Sequence, residues 1–166
     1  MFDLKTISES SIQAALEKAV RYRLLNEPED AESICRDVLA IDDDNQQALV
    51  TLVLALTDQF NVSLSDHHQE AQEFASRLES EFEREYYAGI ISERHAKAIR
   101  RHASHGWGGV VYDWLCRAME HYERAEKLQP EGNNDAMLRW NSCARMIMGH
   151  SSIKPEEIRS GPIELE

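Results

Sequence analysis

The chain has no long apolar run. Its most apolar stretch, Ala48 to Leu56, is nine residues, less than half of the roughly 20 that a membrane-crossing helix needs. The opening MFDLKTISES has no basic region leading into an apolar one, which predicts no secretory signal. Cysteine is scarce: Cys35, Cys116 and Cys143 are far apart and odd in number. That pattern predicts free, buried thiols in a reducing compartment, hence a cytoplasmic protein. Positive charge is also short, with 18 Lys and Arg against 30 Asp and Glu and a net charge of −12. Such a balance excludes general binding to nucleic-acid phosphates and repels anionic membrane surfaces.

Catalytic signatures are missing as well. There is no GxSxG, no phosphate-cradling glycine loop and no nucleophile–His–acid order. SHGWGG at 104–109 has three glycines but no GK[ST] after them, and reads as a flexible loop between helices. Asp42, Asp43 and Asp44 are adjacent, whereas a calcium loop alternates its ligands around a central glycine and ends in a bidentate glutamate. They read as a helix-linking turn. The expectation is a protein that is not an enzyme, with no catalytic residues, no metal and no cofactor.

What is present is helical periodicity. With 166 residues, 42% hydrophobic and 29% charged, the chain is long enough for one globular domain with a sizeable core. Apolar residues recur three and four apart in seven segments. These are about 8–26, 28–40, 46–60, 65–78, 85–102, 110–128 and 134–148. Pro28 suits the first turn of the second helix, with Glu29 and Asp30 at its positive end, and Asn45 caps the third. Gly149 marks the end of the last one. Val110-Val111-Tyr112 is β-branched and aromatic but leads straight into a helical pattern. The fold class is therefore all-α. Residues 1–149 form the helical domain, and 150–166, with two prolines and little periodicity, form a tail that is mobile or lies as a strap on the surface.

Ala118, Tyr122, Ala125 and Pro130 stand at offsets of four, seven and twelve, and Ala31, Cys35, Val38 and Asp43 repeat those offsets. The first three of each set share a helical face. Ala71, Ala75 and Leu78 repeat them more weakly, with Glu83 at the proline position. This recurrence resembles the tetratricopeptide repeat, a two-helix unit of about 34 residues. Gly89, in YYAGI, stands where that family has a small residue on the first helix of the last copy. The resemblance covers about residues 10–148. Its spacing is stretched, with 40 residues from Ala31 to Ala71 and 47 from Ala71 to Ala118. The resemblance implies a right-handed superhelical stack of three antiparallel helix pairs, closed by a seventh, solvating helix. It also implies a scaffold or adaptor that binds a protein or peptide in a groove lined by the first helix of each pair.

The charge anomaly is RHAKAIRRHASH at 94–105, which carries Arg94, Lys97, Arg100 and Arg101 and no acid. Arg94, Lys97 and Arg101 share one helical face, and His105 falls four residues beyond Arg101. Such a face suits an acidic peptide segment; pairing with the acids of ESEFERE at 79–85 is the plainer reading. Partner contact is assigned to Arg94, Lys97, Arg101, His105 and Trp107, since tryptophan often dominates interface energy. Trp107 could equally plug the gap beside the glycines. Two alternatives stand beside peptide capture. One is a homo-oligomeric structural module joined through Trp107 and the tail. The other is a metal-dependent enzyme using His95, His102 and His105 near Cys116.

Overall fold

The computed structural model describes residues 2–61, 64–102 and 106–156, apart from the side chains of 64 and 65. Among them are seven α-helices and no strand. They are α1 (Ile12–Leu24), α2 (Pro28–Leu39), α3 (Gln46–Asp58), α4 (Leu64–Ser76), α5 (Glu81–His102), α6 (Gly108–Leu128) and α7 (Asp135–Gly149). A short 3-10 turn, Glu9–Ser11, leads into α1. Each helix packs on the next in sequence, and short connections make such neighbours antiparallel. Contacts that skip one helix join α1 to α3 and α3 to α5.

Local chemistry fixes the breaks. Asn26 adopts the left-handed conformation at φ 62°, which asparagine tolerates better than most residues. Around it the Asn26 N–H donates to the Arg23 carbonyl at 3.0 Å and the Glu27 N–H to that of Tyr22 at 2.9 Å. This is a Schellman stop, and it leaves Arg23 and Leu24 at the very end of α1. Pro28 occupies the first turn of α2. The Asn45 side chain accepts from the Ala48 N–H at 2.9 Å and caps α3. Gln129 is extended at ψ 144°, as a residue before proline must be, so α6 ends there.

Helix α1 starts at Ile12 rather than about residue 8, after the 3-10 turn, and α1, α3 and α4 each end two residues early. Two further boundaries also differ from the periodicity. The fifth helix begins at Glu81, not Glu85, because its charged first turn carries Phe82, which stacks on Tyr86 at 5.6 Å. The sixth begins at Gly108 rather than Val110. A Cβ on Gly108 would collide with the Ser152 carbonyl, and one on Gly109 with the Glu156 side chain. The two glycines thus let residues 150–156 lie across the start of α6, with Ile153 buried there. Residues 157–166 of the expected tail lie outside the described residues. The last helix does end at Gly149, without a left-handed glycine.

The residues carrying the repeated offsets are interior. Ala31, Cys35, Val38, Ala71, Ala75, Leu78, Ala118, Tyr122 and Ala125 are all buried. Helices α5 and α6 approach closely at Gly89, where a Cβ would stand 2.5 Å from Tyr122 Cε1. Burial raises the thiols of Cys35 and Cys143 to about 12, so both stay protonated.

Candidate functional site: a basic cleft

A cleft of about 420 Å³ opens where α1, α3, α5 and α7 meet. Arg23 and Leu24 come from the end of α1, and Thr57 and Asp58 from the end of α3. Arg94, Lys97 and Arg101 come from successive turns of α5, and Arg139 from α7. Among the described residues, no lining residue comes from α2, α4 or α6.

Two carboxylates organise these cations. Asp58 accepts from Arg23 Nε at 2.8 Å through one oxygen and from Arg94 through the other. Arg94 is further fixed by the Thr57 hydroxyl at 2.7 Å and the Leu54 carbonyl at 3.3 Å. Burial holds the Arg94 guanidinium below its usual pKa, and Asp58 offsets this only in part.

The second carboxylate, Glu93, is fully buried. It accepts the Tyr122 hydroxyl at 2.7 Å, the Lys97 ammonium and, at 3.4 Å, Arg139. Burial, and then Glu93, push the Tyr122 phenol far upward, so the hydroxyl keeps its proton to donate. Burial disfavours the charge on Arg139, but Glu93 and a bond to Tyr86 carry its pKa above the usual value. The aromatic residue of the repeat pattern therefore does more than fill space. From α6 it anchors the acid on α5 that holds two cations in the cleft.

Five cations stand around two carboxylates, which leaves an excess of three positive charges. The whole chain carries −12, so the cleft is a concentrated reversal of sign. Arg101 is exposed and among the described residues has one long bond, 3.4 Å to the Asn61 side chain. Such a site attracts anions and offers forked donors to carboxylate or phosphoryl oxygens.

Of the residues assigned from sequence, the structure brings Arg94, Lys97 and Arg101 together in the cleft. Their partners are Asp58, Glu93 and Asn61, while Glu85 of ESEFERE binds His121 and Arg124. Trp107 does not line the cleft; it precedes α6 and packs against the core between α5, α6 and α7. His105 lies outside the described residues. Asp58, Glu93 and Arg139 were not singled out by the sequence, and Arg23 stood out only as one of three bases, with Lys18 and Arg21, on the first helix. Glu93 had a signal, since it shares a helical face with Gly89, Ile90 and Ala96, which makes an acid there an inward one. Arg139 is a single base in an ordinary helical pattern.

Of the histidines named from sequence, His95 joins His68 in a separate cluster, while His102 is exposed. His95 stacks on Trp114 at 4.1 Å, and His68 meets both rings edge-on, at 4.4 and 5.2 Å. Burial lowers the pKa of His95 to about 4, with His68 and Arg117 adding to the effect, and it lowers that of His68 too. Among the described residues, no three His, Cys, Asp or Glu side chains converge to hold a metal. No described helix is long and apolar enough to cross a membrane. Comparison with family models, with curated proteins and with solved structures finds no match to this chain.

Proposed function

We propose that this chain is a binding module, a divergent tetratricopeptide-like stack that holds an acidic segment of another protein in the basic cleft. In this reading the helix pairs α1–α2, α3–α4 and α5–α6 nest side by side in a right-handed superhelix. The first helices and the capping α7 form the concave wall. Support comes from the helix-skipping contacts of α1 with α3 and of α3 with α5, and from the buried small–aromatic–small residues. The observation that carries the reading is the convergence of five cations from α1, α5 and α7 on one cleft, where among the described residues Asp58 is the lining acid and the buried Glu93 bonds two of the cations. An acidic segment completes that charge balance, and steering by an opposite field speeds encounter.

The test is a panel of fluorescein-labelled seven-residue peptides, graded from basic through neutral to acidic, titrated by anisotropy. Acidic members bind best, binding weakens as salt rises, and Arg101→Glu abolishes it without loss of helicity. Equal binding across the panel, or full retention by Arg101→Glu, removes the proposal.

A further inference from the structure

We infer that the cleft contains a phosphoryl subsite: Arg23, Arg94, Lys97, Arg101 and Arg139 together receive a phosphomonoester dianion carried by the bound segment. The inference rests on the peptide-binding reading and specifies the group that anchors it.

The first argument is saturation. Both oxygens of Asp58 are taken by arginines, and both oxygens of Glu93 have donors. The donors are not saturated. Among the described residues, Arg23 bonds only through Nε and Arg101 only through one terminal nitrogen. The cleft is therefore rich in N–H groups and poor in acceptors, and two arginines keep most of their fork facing the opening. A phosphoryl group brings three acceptor oxygens in one tetrahedron.

The second argument is charge density. The cations line one cleft and, Arg101 apart, are tied together in pairs. Arg23 and Arg94 share Asp58, and Lys97 and Arg139 share Glu93, the neighbour of Arg94 in sequence. The excess of three charges is thus gathered around one opening. A carboxylate brings one negative charge to such a point, whereas a phosphomonoester brings about −1.5 to −2. Arg94 is largely removed from water and only half-neutralised, because Asp58 also serves Arg23. Such a cation gains most from a second, denser anion.

The third argument is the resident competitors. Asp58 and Glu93 are themselves carboxylates on the chain. A ligand carboxylate offers Arg23, Arg94, Lys97 and Arg139 only a partner of the kind that each already has, so of the five it adds most to Arg101. A phosphoryl group offers more, through its second charge and third oxygen.

The experiment uses the full chain. One labelled peptide, Gly-Glu-Gly-X-Gly-Glu-Gly, is titrated with X as serine, glutamate or phosphoserine. In parallel, thermal unfolding is followed in acetate and in inorganic phosphate at matched ionic strength. The phosphoserine peptide binds at least tenfold tighter than either other form, and phosphate raises the melting temperature above that in acetate. Both effects vanish in Arg101→Glu and shrink in Arg101→Ala. Arg101 is exposed, so both variants fold, which circular dichroism checks. Equal binding of the glutamate and phosphoserine peptides overturns the phosphoryl subsite and leaves acidic-segment capture standing. An Arg101-dependent phosphate shift with no peptide binding keeps the subsite and overturns the peptide reading. A phosphate shift that survives in Arg101→Glu is general salt exclusion and overturns the subsite, and no effect of any probe overturns both.

Discussion

The two carboxylates of the cleft do similar jobs in different surroundings. Asp58 sits at the end of α3 with about a quarter of its side chain in water, and Glu93 sits in mid-α5 with about 1%. Asp58 ties α1 to α5, while Glu93 ties α5 to α6 and α7. Water can replace what Asp58 provides. Nothing can replace Glu93, since its donors include the buried Tyr122 hydroxyl. The same charge type is thus an adjustable counter-ion in one place and part of the core in the other.

The largest break in this contrast is Glu93→Ala. Removing one partner of a buried, paired set costs roughly 3–5 kcal/mol, because Tyr122, Lys97 and Arg139 all lose their acceptor. Urea unfolding measures it, and a loss near that of an exposed pair would show that Glu93 is not structural. Next is Gly89→Ala. The new Cβ meets the Tyr122 ring and costs about 1–3 kcal/mol by overpacking. It also displaces the hydroxyl from Glu93, so anion affinity falls together with stability; a stability loss with unchanged affinity would separate the packing from the cleft.

Asp58→Ala sharpens the comparison from the other side. Stability falls by only about 1 kcal/mol, as for a partly exposed pair, while affinity for an anionic probe rises because Arg23 and Arg94 are released. Weaker binding would instead make Asp58 an essential organiser of the arginines. The smallest effect is on pH. His95 and His68 have folded-state pKa values below the ordinary 6.5, so the unfolded chain takes up protons first as pH falls. Their contribution to stability is full above about pH 6.5 and is lost as pH drops through about 4. The melting temperature between pH 7.5 and 5 falls by on the order of a few degrees, and His95→Phe flattens the slope. That cluster lies apart from the cleft, so His95→Phe leaves the pH dependence of anion affinity unchanged.

Periodicity made the helices legible, because the apolar residues of α1, α2, α3, α4, α6 and α7 repeat at the spacing of one buried face. It failed at the start of α5, where Glu81, Glu83 and Arg84 look like a solvated turn and only Phe82 reveals the packed side. The basic run on α5 was legible as half of the site, because a local excess of one sign stands out in an acidic chain. The other half was not. Arg23 and Asp58 are 35 residues apart, and Arg139 is 46 from Glu93. Such pairs exist only once the helices are stacked, and no local pattern marks them. The glycines at 108 and 109 illustrate the same limit: they read as a loop, but the reason for them is a segment more than 40 residues later.

Sharing Asp58 between two arginines has one more consequence. A tethered carboxylate behaves as a rival ligand at high effective concentration, so free metabolites bearing a single carboxyl group meet a site that is already occupied. An anion engages Arg23 and Arg94 fully only by outcompeting that rival, and Asp58 pairs with them again when it leaves. The two arginines are in this way insulated from the crowd of small acids around them.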